Sequence, residues 1–198
     1  MERITEEEAS PAYKRATREF TEVVESVQAQ DGAYIHLRQV DGRWDDMLGK
    51  IAGPSNTPYE GGTFLLEVKI PEVYPFKPPE IRFITKVWHP NISAANGHIH
   101  LNILQDDWVA GLSLRTVLLS IQGLLSAPTH PDNVTPELFN LTAQYWTNVY
   151  AGGPIRVQEF EEKVEHLVEM GVDEHHARMV LSLNGWDLGK ATEQLDFS

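Results

Sequence analysis

Three histidines, His89, His98 and His100, fall within twelve positions of the stretch HPNISAANGHIHLNIL (89–104). Imidazole titrates near neutral pH, ligates transition metals and acts as a general base or nucleophile. The stretch therefore admits three readings: a metal centre, a catalytic histidine pair, or a site from which chemistry has been removed. The 198 residues contain no cysteine, which excludes disulfides, thiolate zinc sites and a cysteine nucleophile. As a zinc set, His89, His98 and His100 lack ordered spacing and a carboxylate orienter, so no metal is expected, nor any cofactor. His98 and His100 would share a face if the segment were extended.

The chain that positions these residues has the length of one large domain, or of a main domain with a small companion. Its 41% hydrophobic and 23% charged residues suit an ordinary globular core. The net charge of −13 argues against nonspecific nucleic-acid binding, which needs a basic surface. No apolar run approaches the roughly 18 residues that a membrane span requires. The acidic, polar start MERITEEEAS is unlike a secretory or transit signal, so the expected location is cytoplasmic, nuclear or both.

After a flexible 1–11, Ser10-Pro11 is a helix start, with Ala16, Phe20, Val23, Val24 and Val27 on one stripe ending near Gln28. Three to four strands follow. Ile35 and Leu37 lie on one, Phe64, Leu66, Val68 and Ile70 alternate along another, and Ile81 and Phe83 begin a third. The short turns between them predict an antiparallel meander. PEVYPFKPP (71–79) holds four prolines and reads as a rigid connector, and 89–112 as a long irregular segment. Ser113 caps a helix with Leu114, Val117, Leu118, Ile121, Leu124 and Leu125 on its apolar face. Thr135-Pro136 opens another, with Leu138, Leu141, Tyr145 and Val149 as its stripe, broken at Ala151-Gly152-Gly153-Pro154.

Residues 157–198 carry ten acidic residues against Lys163, Arg178 and Lys190. Three short helices fit. The first buries Phe160, Val164, Leu167 and Val168. The second follows Asp173, buries Ala177, Val180 and Leu181 and stops at Asn184-Gly185. The third follows Asp187 and runs towards Leu195.

GPSNTPYEGGTFLLEVKIPEVYPFKPPEIRFITKVWHPNIS (53–93), LRTVLLSIQGLLS (114–126) and YWTNVYAGGP (145–154) resemble the core of the ubiquitin-conjugating enzymes over about residues 12–156. Residues 157–198 resemble a ubiquitin-associated (UBA) domain, with Met170-Gly171-Val172 at that family's Met-Gly-aromatic loop and GWDLGKATEQL at its third helix. The resemblance implies an α+β fold. It has an N-terminal helix, a four-stranded antiparallel meander and C-terminal helices over 12–153, a linker at 154–156 and a three-helix bundle over 157–198.

In that family the reactive cysteine follows His-Pro-Asn in a segment like G-x-I-C-L-D-I-L. Here Gly97-His98-Ile99-His100-Leu101-Asn102-Ile103-Leu104 puts His100 at the cysteine position and Asn102 at the usual acid. An acyl-imidazole hydrolyses readily where a thioester persists, so no stable ubiquitin adduct on His100 is expected. Ser93 and Ser113 show no base–orienter arrangement. SAPTHPDNVT (126–135) is also shorter than the family's usual connection, with Asp132 a partial stand-in for its acid.

Further roles follow from the resemblance alone. Asn91 corresponds to the asparagine that stabilises the oxyanion, and without a thioester a bracing role remains; His89 takes a turn role. Phe76 and Trp108 match ligase-contact positions, against ordinary packing as the alternative. Arg15 and Arg18 match positions that meet the activating enzyme, with solvated surface charge as the alternative. Met170, Gly171, Val172 and Leu195 are candidates for weak ubiquitin binding, or complete the bundle's core; Val172 and Gln194 depart from the family pattern there. The implied partners are ubiquitin, a ligase or an active conjugating enzyme. The opposing readings are an active carrier with an unconventional nucleophile, and a degenerate paralogue.

Overall fold

The computed structural model describes residues 10–26, 34–126, 128 and 134–195. Helix α1 (Pro11–Ser26) opens where Ser10 Oγ accepts the Tyr13 N–H at 3.1 Å. Strands β1 (Ile35–Gln39), β2 (Asp46–Ala52), β3 (Thr63–Lys69) and β4 (Glu80–Phe83) form one antiparallel sheet in sequence order. The register pairs Ile35 with Ile51, Ile51 with Phe64 and Leu66 with Phe83, which sets the apolar residues of all four strands on one face. That face packs on α1 and α2 (Leu114–Leu124), burying Ala16, Val23, Leu37, Met47, Ile51, Phe64, Leu66, Val117, Leu118 and Ile121.

Helix α3 (Pro136–Ala151) departs from its expected stripe. Phe139, Thr142, Ala143, Tyr145, Trp146 and Thr147 are buried, while Leu141 is exposed and Leu138 and Val149 only partly covered. The reason is that α3 faces two cores. Phe139 and Ala143 join the sheet-and-helix core, and Tyr145 and Trp146 join that of the C-terminal bundle. An element covered on two sides has no single polar face, and a one-stripe reading misplaces its centre.

The bundle comprises α4 (Gln158–Glu169), α5 (Glu174–Leu183) and α6 (Leu188–Gln194). Phe160 and Trp186 stack at its centre, 3.7 Å between centroids and 5° from parallel. Val168, expected inside, is exposed because Val164 and Leu167 fill the inward face. The bundle is tied to α3 by buried polar bonds: Trp146 Nε1–H donates to Ser182 Oγ at 2.9 Å, and Trp186 Nε1–H to Thr142 Oγ1 at 2.9 Å. Arg178, 5% exposed, donates to Tyr145 Oη at 3.1 Å and also meets Glu161 and Glu174. A buried guanidinium with several acceptors keeps its charge, where an unpaired one would destabilise the fold.

Candidate functional site

The turn before the candidate nucleophile position is built on His89. Its Nδ1 accepts the Asn91 backbone N–H at 2.9 Å, so its Nε2 carries the proton and donates to the Leu124 carbonyl at 3.0 Å. Burial pushes its pKa down to about 4, although the bond to Leu124 acts the other way. His89 is therefore a neutral structural group with both nitrogens engaged. It cannot complete a three-histidine metal centre.

Asn91 continues the same chain of bonds through its backbone. Its carbonyl accepts the His100 N–H at 2.8 Å, and its hydrogen bonds among the described residues are made by main-chain atoms. Among the described residues, the bracing of this turn by Asn91 runs through its backbone. Asn91 as a whole is half-buried at the edge of the segment that carries His100.

Residues 98–100 run extended against two neighbours after a left-handed Gly97. Gly97, at φ +75°, accepts the Phe83 N–H at 2.9 Å, and a Cβ there would lie 1.9 Å from the Phe83 carbonyl oxygen, so only glycine fits. Bridges join Arg82 to His98 and Ile92 to Ile99. Ile99 is buried, while His98 and His100 project to solvent with their rings edge to face, 4.8 Å apart and 82° between planes. Asn102 is exposed at the start of a single 3₁₀ turn, Asn102–Leu104. Among the described residues, neither His98 nor His100 is hydrogen-bonded through its ring to an orienting group, as a catalytic base would be. Asp132, and most of the short connection around it, lies outside the described residues.

The two candidate ligase-contact positions are brought together. Trp108 Nε1–H donates to the Pro75 carbonyl at 2.7 Å, and its ring lies 6.0 Å from that of Tyr74. Phe76, next in the chain, is 80% exposed, with Val73 and Val109 also open to solvent. Trp108 is half-buried and serves as the clamp; Phe76 is the projecting residue.

Sequence reading missed Glu19. This buried carboxylate accepts the Tyr74 O–H at 2.6 Å and the Leu114 N–H at 2.9 Å and pairs with Arg15. It joins α1 to the proline connector and caps the first turn of α2, where a negative charge is favoured. Arg15 is correspondingly part of this network rather than a freely solvated charge, whereas Arg18 makes an exposed pair with Glu22 at 3.4 Å. The only signal available was an acid on the same helix face as Ala16, Phe20 and Val23.

In the bundle, Gly171 adopts φ +94° just after α4 and its N–H donates to the Val168 carbonyl at 2.9 Å. Met170 and Gly171 are exposed, while Val172 and Leu195 pack partly against the bundle core. The four candidates thus divide between an open turn and a half-covered base.

The helix, meander and helices around this site define the ubiquitin-conjugating α+β fold, and the chain belongs to the ubiquitin-conjugating enzyme family, whose profile matches residues 15–151. The chain is 49% identical to ubiquitin-conjugating enzyme E2-22 kDa of Drosophila melanogaster, an alignment spanning 94% of this chain and 98% of that protein. It is 47% identical to human ubiquitin-conjugating enzyme E2 K over the same shares of each chain. The crystal structure of a putative ubiquitin conjugating enzyme from Plasmodium yoelii is also similar, with a TM-score of 0.65 and 39% identity. That alignment covers 74% of this chain and 99% of the other.

Proposed function

We propose that this chain is a ubiquitin-conjugating-enzyme variant that forms no ubiquitin thioester and acts through non-covalent binding of ubiquitin, a ligase or an active conjugating enzyme. The observation that carries this reading is the exposed imidazole of His100 at the cysteine position, in a sequence of 198 residues with no thiol. A carrier needs a nucleophile that accepts the acyl group and holds it against water, and imidazole fails the second condition.

In this reading 12–153 is the core domain and 157–198 a UBA-like domain presenting Met170, Gly171, Val172 and Leu195 to ubiquitin. The exposed Phe76, backed by the Trp108–Pro75 bond, is the anchor for a ligase. Cytosol or nucleus is the proposed location.

Intact-mass analysis after incubation with ubiquitin-activating enzyme, ATP and ubiquitin tests the first half. The expected spectrum shows the unmodified chain, and an ATP-dependent ubiquitin adduct overturns the reading. An NMR titration tests the second: ubiquitin should shift resonances in 157–198. No shift at millimolar ubiquitin refutes binding there.

A further inference from the structure

We propose that His98 and His100 form a two-imidazole chelate for a divalent first-row transition ion, taking Cu(II) ahead of Ni(II) and Zn(II). This site is independent of whether the chain binds ubiquitin.

Two alternate residues of an extended segment project to the same side, and the burial of Ile99 between them fixes that side as the solvent one. The rings already touch, at 4.8 Å between centroids, so a modest rotation about χ1 and χ2 turns one nitrogen of each towards a shared ion.

The backbone beneath them is held at several points. The His98 N–H donates to Asn96 Oδ1 at 3.0 Å, the His98 carbonyl accepts the Ser93 N–H at 2.9 Å, and the His100 N–H donates to the Asn91 carbonyl at 2.8 Å. A chelate on a fixed backbone loses only side-chain freedom on binding. No hydrogen bond to a protein group occupies either ring among the described residues, in contrast to His89, whose two nitrogens are both committed.

The surroundings tolerate the added charge. Arg82 is the bridge partner of His98, but its guanidinium is turned to Glu67, with Nε 2.6 Å from the carboxylate, and Lys69 lies 3.4 Å from the same group. His98 borders a hollow of about 390 Å³ that Glu67 and Glu80 also line.

No third histidine, aspartate or glutamate converges with the pair among the described residues, so water completes the coordination sphere. Two neutral nitrogens and water suit the tetragonal preference of Cu(II), which also heads the general affinity order for such donors. The full set of His89, His98 and His100 considered from sequence fails because His89 is engaged, and the narrower pair survives that objection.

The test is titration of the full chain with Cu(II), followed by electron paramagnetic resonance and calorimetry, alongside His98→Asn, His100→Asn and the double variant. Both rings are exposed, and circular dichroism verifies that each variant is folded. The wild type should bind one ion with hyperfine coupling to two imidazole nitrogens. Each single substitution should raise Kd at least about tenfold, equivalent to about 1.4 kcal/mol. The double variant, which keeps the other histidines, should show only background.

Wild-type affinity no tighter than that of the double variant would sink the proposal, as would affinity unmoved by either single change. On the wild type alone, sub-stoichiometric Cu(II) should broaden the His98 and His100 ring resonances first; broadening that starts at another histidine overturns it.

Discussion

The backbone N–H of Asn91 donates to Nδ1 of His89 at 2.9 Å, and this bond fixes the tautomer of the turn on which the candidate site is built. It leaves Nε2–H for the Leu124 carbonyl, so the turn and the end of α2 are joined by a neutral ring. His89 holds its pKa near 4, below the ordinary value of 6.5, because it is buried. The unfolded chain therefore takes up the proton first, and stability rises with pH. The contribution is present in full above about pH 6.5 and is lost as pH falls towards about 4. His175 is displaced in the same direction, mainly by burial and then by Lys86. Urea unfolding should show stability dropping by about 2 kcal/mol from His89 between about pH 7.5 and pH 5. His89→Gln should remove that part of the slope, and an unchanged slope in the variant would count against the assignment.

The sharing of α3 between two cores makes the bundle and the main domain mutually dependent. Trp146 is fully buried, lies 5.5 Å from Trp88 between ring centroids and donates to Ser182. Trp146→Phe, which keeps most of the volume and removes the donor, should cost about 1–3 kcal/mol by leaving the buried hydroxyl without that partner. Hydrogen exchange should then rise in α5 as well as in α3. Exchange confined to α3 would show that the bundle folds without this contact.

Glu19 caps α2 while holding the connector that bears Phe76. Glu19→Gln keeps the shape but weakens the charge-assisted bonds to Leu114 N–H and Tyr74 O–H. The expected loss, read from chemical denaturation, is about 1–3 kcal/mol. Line broadening or shifts at Tyr74 and Phe76 should accompany it, and a variant as stable as the parent with unshifted resonances would refute the coupling.

Phe76 and Trp108 should separate in a stability assay. Phe76→Ala should change unfolding free energy by no more than about 0.5 kcal/mol, since its ring is mostly in water. Trp108→Phe should cost about 1 kcal/mol through loss of the bond to the Pro75 carbonyl. Equal losses at both positions would contradict the division into clamp and projecting residue.

Local chemistry was the most legible part of the chain. Ser10, Ser113, Thr135, Asp173 and Asp187 each cap the helix they were expected to start, because an oxygen one position before a helix has few other uses. The alternation of Phe64, Leu66 and Val68 gave β3 directly, since one face of the sheet is buried. Strand β2 was harder to place: DMLGKIA has a glycine and a lysine inside it, and only its pairing to both neighbours makes it a strand. Long-range relationships were not legible. The buried faces of α3, the capping of α2 by Glu19 and the bonds of Trp146 and Trp186 join residues distant in sequence, and no local period records them. At the site, the shared face of His98 and His100 followed from strand geometry, but the engagement of both His89 ring nitrogens required its two hydrogen bonds to be seen.

The central claim is that the missing thiol separates this chain from a ubiquitin carrier, and it is tested most directly by charging the wild type and His100→Cys side by side. Each is incubated with ubiquitin-activating enzyme, ATP and ubiquitin and read on non-reducing and reducing gels. We expect no adduct on the wild type and a reductant-sensitive one on His100→Cys. An ATP-dependent ubiquitin adduct on the wild-type chain would contradict the account.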